Sequence, residues 1–428
     1  MHAEELQLPL ELESAPVPIR RPLSLTSELA DFDQFGKSTL QLASQFLLAD
    51  GTSREVPVFV NEFWTARQRA ASRLHEISYR ACFKPQLPRF FIERLTVPGE
   101  IVYDPFMGRG TTLLEAALLG RVPYGCDINP VSLRLAGPRL RPPSLEQISR
   151  RLAEIDFSDA AESPGELLVF YHPETLREIA ALKKYLLART QDEVDQWIGG
   201  VALNRLTGHS PGFFSVYTLP PNQAVSVKSQ RKINADRKQI PPRRSVPALI
   251  LKKSRKLLSD CDAALLRSLH AAGDKALLLN QGARSTPQIP DGAVALVVTS
   301  PPFLDVVDYA GDNWLRCWFL GIDPQTVRLT VPKKLDAWQL EMTAVFRELR
   351  RILRTGGHVA FEVGEVRGGT IKLEETVVRC GVEAGLDPLL VLINDQKFTK
   401  TANCWGVNNN EKGTNTNRIV LFRRCSSS

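Results

Sequence analysis

An open, doubly wound α/β sheet of about seven mostly parallel strands, interrupted by a helical and basic insertion, is the fold this sequence predicts. Three observations predict it. Strand-length apolar runs alternate with helix-period segments over 91–130 and again over 275–424. A glycine turn followed by a strand ending in an acid opens the first stretch, as in nucleotide-binding sheets. Between the two stretches, residues 131–270 lose the alternation and carry most of the excess positive charge.

Residues 1–60 read as an N-terminal extension. Through Pro22 it is acidic and spaced by prolines, a loose tail, and the run from Thr39 to Leu48 predicts one short helix. Residues 61–130 hold the first part of the main domain. From Asn61 to Ala81, Trp64, Gln68 or Ala71, Leu74 and Ile77 recur at helical spacing with Arg67, Arg69 and Arg73 between them, predicting a helix laid on the domain that follows. Residues 91–100 give a short helix and turn, 101–106 a strand leading into a loop, 108–112 a glycine turn, and 112–120 a helix closed by Gly120. A second strand over 122–130 ends in Asp127.

Residues 131–270 read as an inserted target-recognition region. It contains an Arg- and Pro-rich stretch at 138–145, a helix at 173–188 and an aromatic, proline-rich run at 211–226. A basic amphipathic helix follows at 247–258, with Leu249, Ile250, Lys253 and Leu257 along one face. Residues 271–428 resume the alternation. Strands are expected at 275–281, 294–299, 358–364, 387–395 and 417–424, and helices at 340–357 and 373–386, with Leu349, Ile352 and Leu353 turned inward.

Composition narrows the function classes. The chain has 428 residues, 43% hydrophobic and 24% charged, which excludes a disordered or fibrous protein. Seven cysteines, at 82, 126, 261, 317, 380, 404 and 425, stand too far apart for a zinc knuckle or a disulfide framework. The dispersed histidines, His172 beside a proline included, give no metal-ligand spacing. No run of about 18 apolar residues occurs, and the acidic start lacks the features of a secretion signal, so a cytoplasmic protein without a membrane partner is expected. The net charge of +7 is concentrated. Between Lys228 and Lys256 eleven Lys or Arg face the single acid Asp236, a local +10 that leaves −3 elsewhere. Such a segment suits a polyphosphate backbone.

Two loops carry the chemistry. In DPFMGRGTT, 104–112, Gly108 and Gly110 permit a tight turn and close ligand approach, and the helix that follows offers free N–H groups. No Gly-Lys-Ser/Thr is present, which disfavours ATP or GTP hydrolysis by a phosphate loop, and the spacing also departs from the dinucleotide fingerprint. In TSPPF, 299–303, two prolines hold the chain extended after an apolar strand. The pattern suits an exocyclic amine on an aromatic ring: the ring stacks on Phe303 while the amine donates to Ser300 Oγ and the Pro301 carbonyl, which draws its lone pair out of conjugation.

DPFMGRGTT together with GCDINP at 125–130 resembles motifs I and II of the amino-methyltransferases that use S-adenosylmethionine, and TSPPF resembles motif IV of the DNA amino-methyltransferases. The resemblance covers roughly 85–130 and 275–424, with target recognition between the cofactor half and the catalytic half. It implies S-adenosylmethionine as cofactor, with Asp104, Phe106, Gly108 and Gly110 against it, Thr111 and Thr112 at the helix start nearby, and Asp127 on the ribose hydroxyls. It assigns catalysis to Ser300, Pro301, Pro302 and Phe303 without a metal. Where the family often has an acid for the adenine amine, this chain has Asn280 and Gln281, and Gln281 takes that place among the cofactor residues.

The Ser-Pro-Pro form is associated in that family mainly with N4 of cytosine and the Asp-Pro-Pro form mainly with N6 of adenine. Cytosine C5 chemistry needs a Pro-Cys nucleophile, and no Pro-Cys dipeptide occurs here. The resemblance therefore implies a site-specific, cytosine-N4 DNA methyltransferase. Adenine N6 is the alternative, followed by RNA guanine-N2 or protein-glutamine methylation and by a non-catalytic nucleic-acid-binding module. The expected partner is double-stranded DNA that flips its base. Its backbone would be met by Arg231, Lys232, Arg243, Arg244, Lys252 and Lys253, and by Arg134, Arg139 and Arg141. A cognate restriction endonuclease is left open, and a monomer suffices for one target base. Tyr309, Asn313, Arg316 and Trp318, the polar loop 398–418, and Glu362 and Glu365 are further candidates around the cleft.

Overall fold

The computed structural model describes residues 25–65, 71–79, 82–159, 162–218, 224–302, 309–327, 332, 334–366, 371–395 and 416–426. A short helix α1 (Leu25–Ala30) precedes a hairpin of β1 (Leu40–Leu47) and β2 (Ser53–Asn61). Then come α2 (Gln86–Leu95), β3 (Ile101–Asp104), α3 (Thr111–Leu118), β4 (Val122–Cys126) and α4 (Pro130–Ala136). The insertion follows as α5 (Leu145–Glu154), α6 (Pro173–Leu187), α7 (Glu193–Leu203), α8 (Val227–Arg237), α9 (Val246–Leu257) and α10 (Ala263–Gly273). The sheet resumes with β5 (Leu277–Leu279), β6 (Val294–Thr299), α11 (Tyr309–Leu320), α12 (Leu335–Ile352) and β7 (Leu353–Val363). A two-residue pair, β8 (Glu365–Val366) and β9 (Ile371–Lys372), leads into α13 (Leu373–Glu383), β10 (Asp387–Asp395) and β11 (Thr416–Arg423).

The principal sheet has nine strands in the order β1-β2-β10-β11-β7-β6-β3-β4-β5. The expected seven form its continuous run from β10 to β5. The count itself is corrected to nine, and the sheet is mixed: β1 with β2, β10 with β11, and β11 with β7 are antiparallel. The two extra strands come from the segment expected to start with a helix. Leu40 pairs with Val60 through to Leu47 with Ser53, and β2 in turn lies parallel to β10, Val58 against Val391. The apolar run at 39–48 is compatible with either period, and an available sheet edge decided it by pairing the backbone of the whole hairpin.

The helix expected over 61–81 is also corrected. Residues 66–70 and 80–81 lie outside the described residues, and what is described is the end of β2, a single 3-10 turn at Arg73–His75 capped by Ser72, and irregular chain to Tyr79. Its backbone is held by side chains from elsewhere: Arg139 takes the Leu74 carbonyl, Arg109 the Ile77 carbonyl, and Asn204 the Ser78 amide. Those partners replace the ladder a helix would have made for itself.

Helices cover both sheet faces. One face packs Val102, Leu296, Val298 and Leu392 against α2 residues Phe90 and Phe91 and α3 residue Ala116. The other packs Tyr103, Val297 and Phe361 against Trp338, Phe346 and Leu349 of α12 and Val377 of α13. β6 is buried at all six positions, as its unbroken apolar run requires of a strand covered on both sides. The insertion shares a core with α3, α4 and α11: Ile148, Trp197, Ile198 and Ile250 join Leu113, Leu135, Leu315 and Phe319. Trp197 Nε1 donates to Ser254 Oγ at 2.9 Å and ties α7 to α9. The helical region is thus packed on α3, α4 and α11.

Candidate active site

The chain leaves β3 toward β4 on one side, while β6 lies on the other, so the switch in strand order falls between β3 and β6. Ligands of open α/β sheets bind at the carboxyl ends of strands beside such a switch. Here those ends carry Asp104 on β3, Asp127 just after β4, Thr299 and Ser300 on and after β6, and Glu362 near the end of β7.

The two predicted loops are joined directly. Thr299 Oγ1 donates to Asp104 Oδ1 at 2.6 Å, the Phe106 amide donates to the same oxygen at 3.1 Å, and Thr112 Oγ1 reaches the Val298 carbonyl at 3.1 Å. Asp104 is buried. Burial pushes its carboxyl up to about 7, with the hydrogen bonds from Thr299 and Phe106 acting the other way. Asp104 and Thr112 therefore build the junction between the loops. Thr111 is likewise engaged, its hydroxyl accepting from Arg109 Nε at 3.0 Å. Both threonine hydroxyls are thus engaged within the protein, and what Thr111 and Thr112 offer a cofactor is the backbone at the start of α3.

The glycine loop turns through positive φ at Gly108 and Gly110, 48° and 74°. The two glycines meet different surroundings. A Cβ on Gly110 would stand 2.6 Å from Ala136 Cβ on α4, whereas one on Gly108 would stand 3.5 Å from the Tyr79 ring. Gly110 is therefore a packing glycine, and Gly108 lies at the open side of the loop. The Gly108 amide donates to Asp127 Oδ2 at 2.9 Å and the Asn129 amide to Oδ1 at 2.8 Å. Burial raises the Asp127 carboxyl above its ordinary range while those amides lower it. Phe106 is half-buried beside the same strand ends.

The donor set fits a nucleoside sulfonium. A strand-terminal carboxylate suits a pair of ribose hydroxyls, and the positive-φ loop brings backbone amides and the start of α3 to the same edge. Gln281 does not take the expected place. Its amide donates to the Ser285 carbonyl at 2.8 Å and pairs reciprocally with Gln288 at 3.0 Å, within its own loop. Asn280 instead donates to the main-chain carbonyls of Asp127 and Ile128 at 2.9 and 3.0 Å.

At the second loop, Ser300 stands beside Glu362 across the β6–β7 pair, where its hydroxyl acts to lower the Glu362 carboxyl, and Glu362 Oε1 accepts from Asn417 Nδ2 at 2.7 Å. Pro301 is buried, and the Pro302 carbonyl accepts from Trp338 Nε1 at 3.0 Å, which anchors the loop to α12. Phe303 lies outside the described residues, as does the polar loop through 415.

Above the glycine loop sits the strap of residues 71–79, which periodicity misread. Arg109, from inside the loop, donates to the Ile77 and Phe83 carbonyls, and Tyr79 stands beside Gly108 with its hydroxyl 3.3 Å from Asn129 Nδ2. Arg316 of α11 reaches Asn313 Oδ1 and the Ser78 carbonyl, so it fastens the strap from the other side. Beneath it, buried His75 meets Glu115 at 2.7 Å through Nε2, and burial holds the imidazole below its ordinary range. The one sequence signal for this strap was an arginine between two loop glycines, a cation that needs acceptors wherever the loop packs.

The basic insertion divides into exposed and buried cations. Arg231, Lys232 and Lys252 are exposed, as are Lys228 and Arg255. Arg243 is exposed and paired with Glu174, and half-buried Arg244 brackets Thr175 through its backbone. Lys253 is corrected: it is buried 3.5 Å from Glu76, and burial pushes its ammonium down to about 8. Arg139 is corrected too, being buried with its guanidinium on the Leu135, Leu74 and Arg109 carbonyls. Arg134 is exposed and donates to Gln191, and Arg141 bridges Glu193 and Asp274. His172 caps α6 by accepting from the Glu174 amide. Among the described residues no group of three His, Cys, Asp or Glu is placed to hold a metal, and no helix is long and apolar enough to cross a membrane.

A DNA methylase family model matches residues 34–137, the span from β1 to α4 that contains the glycine loop and Asp127. The chain is 34% identical over 122 residues to the Type II methyltransferase M.MvaI of Kocuria varians, covering 28% of this chain and 24% of that protein. It is 23% identical over 344 residues to the Type II methyltransferase M.BsoBI of Geobacillus stearothermophilus, covering 67% and 63%. Over 77 residues it is 34% identical to the Type II methyltransferase M.MjaII of Methanocaldococcus jannaschii, covering 18% and 14%. The matches therefore span less than two thirds of the length of each of these relatives.

Proposed function

We propose that this chain, whose residues 34–137 match a DNA methylase family model, is a member of that family and transfers a methyl group from S-adenosylmethionine to the exocyclic amine of a DNA base, N4 of cytosine. The observation that carries the reading is the junction of the two loops: the glycine turn with Asp127 and the Ser300-Pro301-Pro302 turn stand at adjoining strand ends, tied by Thr299 and Asp104 at 2.6 Å.

The cofactor, when bound, supplies an electrophilic methyl group. Asp127 accepts from the ribose hydroxyls and the glycine loop holds the nucleoside against β3 and β4. Ser300 Oγ and the Pro301 carbonyl accept the two N–H bonds of the target amine, so its lone pair leaves conjugation with the ring and is held for attack. Buried Pro301 and half-buried Pro302 keep that pair of acceptors from reorganising, and in a dry pocket fixed dipoles count for more than in water. Arg231, Lys232 and Lys252 on the exposed side of α8 and α9 contact the phosphates.

The deciding experiment incubates unmodified DNA with the protein and labelled S-adenosylmethionine, digests it to nucleosides and identifies the labelled species by mass. N4-methylcytosine is expected. N6-methyladenine would overturn the choice of base and leave the amine chemistry standing, and label found only in RNA or protein would remove DNA as the substrate.

A further inference from the structure

Three strand ends converge behind the second loop. Ser300 follows β6, Glu362 is the penultimate residue of β7, and Asn417 lies at the start of β11. The register brings them together: Thr299 pairs with Phe361, and Glu362 pairs with Ile419. Glu362 is 7% exposed, yet a carboxylate placed under a catalytic loop has no packing reason to be there, since Gln or an apolar residue would fill the site without the cost of burying a charge. Among the described residues, the Asn417 side-chain amide donates to its Oε1 at 2.7 Å, and Ser300, beside it across the β6–β7 pair, acts to lower its carboxyl. Arg418, the neighbouring cation on β11, is paired instead with Glu374.

We propose that Glu362 is a positioning residue for the target amine, acting through Ser300, an inference that rests on the amine-methylation reading above. A hydroxyl next to a carboxylate donates its hydrogen bond to that carboxylate and keeps its proton, so both Ser300 lone pairs are left to face the pocket as acceptors. Asn417 fixes the other side of the carboxylate so that it cannot rotate away. The arrangement also has an exit for the proton. Once the amine nitrogen carries a new methyl group it is cationic. One N–H bond breaks, its proton passes to Ser300 Oγ, and the Ser300 proton passes to ionised Glu362, which returns it to water between turnovers. Charge and atoms balance with no further reactant. Burial raises the Glu362 carboxyl above its ordinary range, which makes it a better acceptor than a solvated glutamate.

The test compares the full chain with Glu362→Gln, Ser300→Ala and the double variant. Glu362→Gln is expected to lower turnover of DNA methylation by about 10²- to 10⁴-fold, with affinity for S-adenosylhomocysteine, measured by calorimetry, within about twofold because the groups acting on Glu362 are Ser300 and Asn417 and none of the cofactor residues. In the Ser300→Ala background the same change should cost little more, since the group it acts through is gone. Infrared difference spectra of the unloaded protein supply a readout independent of activity. The carboxyl band that disappears in Glu362→Gln should shift in Ser300→Ala, and wild type against Ser300→Ala decides this even if Glu362→Gln does not fold. Full turnover in Glu362→Gln, additive losses in the double variant, or an unmoved band would each overturn the role of Glu362. A wild-type protein that binds cofactor but methylates no DNA amine would instead overturn the reading on which it rests, and this proposal with it.

Discussion

Gly108 and Gly110 look equivalent in a glycine-loop motif, and the structure assigns them different work, which a pair of alanine substitutions can separate. At Gly110 the added methyl would meet Ala136 Cβ at 2.6 Å and Ala136 Cα at 3.2 Å, on a backbone with φ of 74°. A left-handed conformation costs a non-glycine residue about 1–2 kcal/mol, and an extra methyl forced into packed surroundings costs about 1–3 kcal/mol more. Alanine recovers about 0.4–1 kcal/mol by restricting the unfolded chain, so Gly110→Ala should destabilise by about 1–5 kcal/mol. At Gly108 the nearest atom is 3.5 Å away and only the backbone cost applies, so Gly108→Ala should lose at most about 2 kcal/mol. The assay is urea unfolding followed by circular dichroism, comparing midpoints at unchanged slope. Ala136→Gly removes the other methyl of the clash and should rescue Gly110→Ala but not Gly108→Ala, a coupling of about 1–3 kcal/mol. Cofactor affinity should fall more in Gly108→Ala, the residue at the open side. If Gly110→Ala proves no more destabilising than Gly108→Ala, or its coupling to Ala136→Gly is zero, the packing role is refuted.

Two further outcomes follow from the electrostatics. Replacing Arg231, Lys232, Lys252 and Arg255 with Gln should weaken DNA binding and flatten its salt dependence, by roughly 0.9 in log–log slope for each phosphate that is no longer neutralised. Lys253→Gln should leave that slope unchanged, because Lys253 is buried on Glu76. Asp104, whose folded carboxyl stands at about 7, holds its proton more tightly folded than unfolded, so its contribution is complete below about pH 4 and is lost as pH rises through about 7. Asp104→Asn keeps an acceptor for Thr299 and lacks the titration. The stability of the Asn variant relative to wild type should therefore climb between about pH 4 and 7, by a few kcal/mol at most, and then level off. A difference flat with pH in thermal unfolding would rule this out.

Much of the site was legible in the order of residue types along the chain. The unbroken apolar run of β6 required burial on both faces, the glycines of 108–110 required positive φ, and the acid after β4 had to fall at a strand end beside them. These are local statements, fixed by backbone sterics and by the period of the apolar residues, so they survive without knowledge of neighbours. The basic character of 228–256 was equally plain in the composition.

What needed the tertiary structure was every feature whose cause lies far along the chain. Residues 39–48 became a strand because β2 offered an edge and β10 held β2. Residues 71–79 lay down as a strap because Arg109, Arg139 and Asn204 took up their backbone groups. Gln281 turned to Gln288 and left Asn280 at Asp127, and Lys253 and Arg139 went inside while their neighbours stayed out. Charge and hydrogen-bonding capacity are properties of a side chain, readable one letter at a time. Which partner satisfies them depends on which strand ends and helix faces meet, and sequence spacing carries no record of contacts such as that between Ser300 and Glu362, which exist only because β6 and β7 are neighbours in the sheet.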